Sequence, residues 1–100
     1  GEYIRTEPTL IEPLPFLYCM LYYRDINSPN ATGIVIKDII NAPNSLGKVL
    51  FLPEYKANDL INRLHDMKLV RIETFGDLDQ IRFAEGISKE GILKKIYGVE

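Results

Sequence analysis

The side chains best suited to chemistry are few and far apart. Cys19 is the only cysteine and His65 the only histidine in the chain. A zinc site needs three or four Cys, His or carboxylate ligands at recognisable spacing, and this pair cannot supply them. His65 is followed by Asp66, but adjacent residues on a helix point in different directions, so the two form no catalytic dyad. His65 is read as a surface histidine. The Gly47-Lys48 pair in "SLGKV" lacks the earlier glycine and the following Ser or Thr of a phosphate loop. Asp77 and Asp79 read as turn residues rather than a general acid and base. Cys19 lies in an apolar run and is read as a buried, inert thiol that can form no intrachain disulfide. The expectation is a non-catalytic chain without metal or cofactor.

A second set of residues is suited to recognition. In "EYKANDLINRLHDMK", at 100° per residue, Leu60 and Leu64 define one side of a helix. Tyr55, Asp59, Asn62 and Asp66 then fall opposite, with Asn58 beside them and Lys56 and Arg63 on the flanks. Asn can pair with adenine in the major groove, and Lys or Arg can hold phosphates. The candidate DNA contacts are therefore Lys56, Asn58, Asn62 and Arg63, with Lys68 and Arg71 toward phosphates. Asp59 and Asp66 oppose this, because a carboxylate about 4 Å from a phosphate costs on the order of 1 kcal/mol in water.

Composition sharpens that conflict. Of 100 residues, 46% are apolar and 26% charged, an ordinary globular balance. The net charge is −2 and the pI about 5.4, whereas dedicated nucleic-acid modules carry an excess of Lys and Arg. Lys48, Lys68, Arg71, Arg82, Lys89, Lys94 and Lys95 are read as a solvated, mixed-sign surface. The longest apolar run, Leu14 to Tyr23, is far short of the roughly 20 residues that span a bilayer. No membrane association is expected, and the localisation read from the chain is cytoplasmic. Asn30-Ala31-Thr32 matches a glycosylation acceptor, taken as chance in the absence of a signal peptide. The initial Gly reads as the trimmed end of a fragment from a longer protein.

The elements that must position these residues follow from periodicity. Residues 1–13, with Pro8 and Pro13, read as an extended arm or linker, and 14–98 as one domain. A helix starts at Pro15 and runs through "FLYCMLYYRD". Phe16, Leu17, Met20 and Leu21 lie on one side, and Tyr18, Tyr22 and Tyr23 are spread around it. "NSPNATG" is a loop, "GIVI" a short strand, and Ile36, Ile39 and Ile40 a short helix closed at Pro43. Val49 to Leu52 reads equally as a strand or an apolar turn. The long helix spans Glu54 to Lys68, its stripe being Ala57, Leu60, Ile61, Leu64 and Met67. A hairpin follows: Leu69 to Thr74, a turn at Gly76-Asp77, and Asp79 to Phe83, with Val70 and Ile72 facing Ile81 and Phe83. Ser88 caps a last helix that Ile87 and Ile92 staple and Gly98 ends. Its apolar side is Ile92, Leu93, Ile96 and Tyr97.

This order of helix, short strand, helix, longer helix, hairpin and helix resembles the winged helix-turn-helix superfamily across Leu14 to Tyr97. The resemblance rests on element order and apolar pattern, without a signature motif. It implies an α+β fold with helices packed against a small antiparallel β-hairpin wing. It also implies that the helix before the hairpin enters the major groove. A fainter similarity, in "SLGKVLFL" and the hairpin, is to uncharacterised bacterial proteins sometimes encoded beside DNA-modification systems. The wing, however, would carry "FGDLD" at its tip, acidic where wings usually offer Arg or Lys.

Two functions remain open on the sequence. One is a winged-helix module of a larger, bacterial regulatory or defence protein that associates with DNA weakly or as part of an oligomer. The other is a protein–protein or dimerisation module of the same shape without DNA binding. In that case Tyr18, Tyr22 and Tyr23 are the interface candidates, since Tyr is favoured at interfaces.

Overall fold

A computed structural model describes residues 12–40 and 44–98. Within them the chain is α+β, five helices around a three-stranded antiparallel sheet. The arm expected over residues 1–13 lies almost wholly outside the described residues.

The first helix, α1 (Pro13–Asn27), starts two residues before the expected Pro15 and runs two past Asp25. Pro13 and Pro15 both sit in the first turn, where backbone N–H groups have no intrahelical partner to lose. The first helical bond comes just after them, with Phe16 N–H donating to the Glu12 carbonyl at 3.1 Å. Phe16, Leu17, Met20 and Leu21 are buried, as the pattern requires.

The loop after α1 delivers the chain to β1 (Gly33–Val35), followed at once by α2 (Ile36–Ile40). Ile39 and Ile40 are buried; the expected stop at Pro43 lies outside the described residues. Of the two readings of Val49 to Leu52, the strand does not form, and Leu50 and Phe51 make a turn leading to the next helix. Val49 itself ends an unexpected one-turn helix, α3 (Leu46–Val49), whose cap Ser45 accepts from the Lys48 N–H at 3.4 Å. The chain leaves α3 through Phe51 at φ 58°, a left-handed residue. Leu52 N–H then donates to Gly47 O at 2.7 Å and Phe51 N–H to Lys48 O at 3.1 Å. That bond pair is a Schellman ending with Phe where Gly is usual.

The same device ends α4 (Glu54–Asp66), two residues before the expected Lys68. Leu69 N–H donates to Leu64 O and Lys68 N–H to His65 O, with Lys68 at φ 65°. Met67 is consequently the cap rather than a stripe residue and is half-exposed, while Ala57, Leu60, Ile61 and Leu64 are buried.

The hairpin is longer than expected at its turn end: β2 is Val70–Phe75 and β3 Leu78–Phe83. Gly76, at φ 61°, opens the two-residue turn. Val70 pairs with Phe83 and Ile72 with Ile81, the register the alternation implied. Yet Ile72 remains 40% exposed while Ile81 on the same rung is buried, because β2 is an edge strand and β3 the central one. The expected two-stranded hairpin is in fact a sheet of order β1-β3-β2. Gly33 is opposite Arg82, and a Cβ there would run into the Ile81 carbonyl oxygen. Only glycine lets β1 approach so closely.

Finally α5 (Lys89–Tyr97) packs on α1. Its cap Ser88 accepts from Gly91 N–H at 3.0 Å, and Gly98 ends it in the left-handed region. Ile92 is buried in the common core, but Tyr97, expected on the apolar side, is 75% exposed. Burying this core supplies the main stabilisation, at about 25 cal/mol per Å² of apolar surface removed from water.

Candidate functional site

The expected reading face of α4 is open but electrically quiet. Asn58 and Asn62 are exposed, as is Tyr55. Lys56 and Arg63 do not project freely. Both reach the same Asp59 carboxylate oxygen, Arg63 Nε at 3.0 Å and Lys56 Nζ at 3.9 Å. Helical spacing dictates this, since residues three and four apart are neighbours on the surface. The face is left with two amides and two cations set against two carboxylates, Asp59 and the exposed Asp66.

The hairpin tip is acidic and apolar. Thr74 donates to Asp79 at 2.7 Å, and Phe75 and Leu78 are exposed beside the turn.

Basic residues converge elsewhere. A groove of about 830 Å³ runs from the end of α1 across the base of the hairpin to the last turn of α4. Arg24, Lys68, Arg71 and Arg82 line it, together with His65 and the single carboxylate of Glu85. Three folding decisions bring these together. The two-residue turn places Arg71 directly opposite Arg82 on the outer face of the sheet. The left-handed Lys68 joins α4 to β2. Arg24 comes from the last turn of α1 and sits 5.4 Å from the centroid of the Phe83 ring.

The guanidiniums are held rather than loose. Glu73 lies between the arginines, with Arg71 Nη2 at 3.2 Å and Arg82 Nη1 at 3.4 Å from its two oxygens. Arg24 donates through Nε and Nη2 to Asp25 at 3.1 and 2.9 Å, and through Nη1 to the Ala31 carbonyl at 3.4 Å. Of the expected contacts, then, the structure brings Lys68 and Arg71 into one groove, leaves Asn58 and Asn62 open, and ties Lys56 and Arg63 to Asp59. Arg24 and Arg82 were missed as partners. For Arg82 the signal was present: counting back from a turn at Gly76-Asp77, the fifth rung is Arg71–Arg82.

The tyrosines of α1 divide. Tyr18 and Tyr23 are half-buried against the core. Tyr22 is 51% exposed, with Lys89 Nζ 5.1 Å from its ring centroid. Lys89 also bonds Asp25 at 2.8 Å. That contact raises the Lys89 ammonium and, with Arg24 second, holds the Asp25 carboxyl below its ordinary range. Burial pushes the Cys19 thiol up, which suits its reading as inert. Burial, and after it Asp38, raises Tyr23.

Among the described residues no group of three or more His, Cys, Asp or Glu is placed to hold a metal ion. Nor is any helix there long and apolar enough to cross a membrane. Compared with known proteins, the chain matches no family model, no curated protein and no solved structure.

Proposed function

We propose that the chain is a non-catalytic winged-helix module of a larger protein, associating with DNA weakly or as part of an oligomer. The observation that carries this reading is the three-stranded sheet made when β1 pairs onto β3 of the hairpin, with the amphipathic helix α4 immediately preceding that hairpin. That is the arrangement in which winged helices present a reading helix beside a wing. Asn58 and Asn62 are the base-contact candidates. Both are exposed on α4 and free to offer the paired donor and acceptor that adenine accepts. Regulatory or defence context belongs to the parent protein.

The test is fluorescence anisotropy with random-sequence duplex DNA, at about 50 and about 200 mM salt, where counterion release makes backbone binding strongly salt-dependent. Salt-sensitive binding supports the reading; no binding at the lower salt overturns it. A protein–protein module of the same shape is favoured by a different observation. Val49, Phe51 and Tyr55 all expose apolar side chains around the α3–α4 turn, the kind of patch that marks an interaction surface. Sedimentation of the domain at high concentration, with and without F51S, tests whether the patch drives self-association.

A further inference from the structure

The groove at the base of the hairpin is where an anion would be held. Its lining carries four cations, Arg24, Lys68, Arg71 and Arg82, against one carboxylate, Glu85, a net +3 with His65 neutral. Counting Asp25 and Glu73, which bridge to three of those guanidiniums, the balance is still +1. The whole chain is −2.

Two features go beyond a solvated mixed-sign surface. Arg71 and Arg82 are directly cross-strand neighbours, a like-charge pairing that disfavours the sheet. One carboxylate, Glu73, serves both guanidiniums. Lys68 holds a left-handed conformation, at φ 65°, that glycine would adopt without strain. Each places a positive charge at the same rim, the arginine pair at a cost to the sheet; the left-handed conformation itself recurs at the uncharged Phe51. Arg24 is oriented from the opposite wall by Asp25, the Ala31 carbonyl and the Phe83 ring.

Resting on the DNA-associated reading, we infer that this groove, and not the flanks of α4, is the phosphate-binding site for a nucleic-acid backbone. Arg24, Lys68, Arg71 and Arg82 make the phosphate contacts. The guanidinium fork suits phosphate oxygens, and Glu73 acts as the internal competitor that a phosphate displaces. Lys56 and Arg63 contribute less, because they share Asp59 and, with the exposed Asp66 on the same face, leave α4 no net positive charge there. Such a site gives affinity and orientation but no sequence information, leaving any base reading to Asn58 and Asn62.

The experiment compares four proteins in the anisotropy titration described above: wild type, R71Q/R82Q, E73Q and K56Q/R63Q. Each phosphate contact contributes about 0.9 to the log–log salt slope. R71Q/R82Q should therefore flatten that slope by about 1.8 and weaken low-salt binding tenfold or more. E73Q frees both arginines and should tighten binding several-fold, a gain that misfolding cannot imitate. K56Q/R63Q should lose no more than the roughly fivefold that an uncovered Asp59 imposes and should keep the wild-type salt slope. If K56Q/R63Q flattens the slope while R71Q/R82Q and E73Q leave it unchanged, the groove is not the site, and the DNA reading stands without it. If wild type does not bind at the lower salt, both fall.

Discussion

Lys68 separates backbone strain from ligand contact, because its conformation and its charge make opposite demands. It occupies the position after the α4 cap at φ 65°, where an L-residue costs about 1–2 kcal/mol relative to right-handed geometry. Replacing it with glycine removes that strain, but glycine's larger freedom in the unfolded chain takes back about 0.4–1 kcal/mol. The net for K68G is a gain of about 0–1.6 kcal/mol, centred near 0.8. For a domain of this size each kcal/mol moves Tm by roughly 4–8 °C, so at the centre of that range K68G should melt roughly 3–6 °C higher. Its DNA binding should weaken, with a salt slope shallower by about 0.9. K68A keeps the strain and drops the charge, so it should melt near wild type and share the binding loss. Phe51 is the control at the equivalent place after α3, at φ 58° and 79% exposed. F51G should gain similar stability and leave DNA binding unchanged. Circular dichroism melts and anisotropy titrations on the four proteins measure both quantities. A K68G protein less stable than wild type would refute the strain argument. Full DNA affinity in both Lys68 variants would remove Lys68 from the site.

Leu64 is fully buried under α4, and L64A should cost about 2–5 kcal/mol by denaturant titration; a loss below about 1 kcal/mol would mean the site collapses around the deletion. The Asp25–Lys89 tie between α1 and α5 predicts a pH window. Asp25 is lowered in the fold, so its contribution is present above its ordinary value of 3.8 and lost as pH falls through the lower folded value. Lys89 is raised, so its contribution is present below its ordinary 10.5 and lost as pH rises through the higher folded value. Accordingly D25N should lower Tm at pH 7 and narrow the Tm difference between neutral and acid solution. An unchanged difference would show that the tie does not contribute.

What the sequence made legible depends on whether the signal was local. Ser88 and Gly98 bound α5 because capping chemistry is written in single residues. The hairpin register followed from the turn at Gly76-Asp77 and the alternation of Val70, Ile72, Ile81 and Phe83. Both misjudged helix ends share one cause. α3 and α4 close in Schellman endings built on Phe51 and Lys68, so the glycine that usually marks such an end is missing. Val49 to Leu52 therefore reads equally as a strand or an apolar turn, and the pattern carries the long helix on to Lys68. The β1–β3 pairing and the approach of Arg24 to the hairpin are long-range. No local pattern records them, although Gly33 is the residue that permits the first. The pairing of Lys56 and Arg63 with Asp59 was readable from helical spacing alone.

The acidic balance of the chain was the main argument against DNA, and its weight changes once the charges are placed in space. Net charge is a sum over the whole surface, but a phosphate in solution responds to charges within about 8–10 Å, the Debye length near physiological salt. The last rung before the turn, Phe75–Leu78, is four rungs from Arg71–Arg82, so Asp77 beyond it is more than about 13 Å away at about 3.3 Å per residue. Asp77 is therefore largely screened from a backbone seated in the groove, while Asp79, three residues from Arg82 and about 10 Å away, is at the edge of that length. Asp59 is closer in sequence to the reading face, but it is occupied by Lys56 and Arg63. What remains near the groove is Glu85 and Asp66, the latter 4.0 Å from the lining His65, with Asp25 and Glu73 already bonded to the cations they face. The fold prior and the charge count thus conflict only while charge is treated as a total. Distributed over the structure, the acids lie mainly where a backbone held at the base of the hairpin would not meet them.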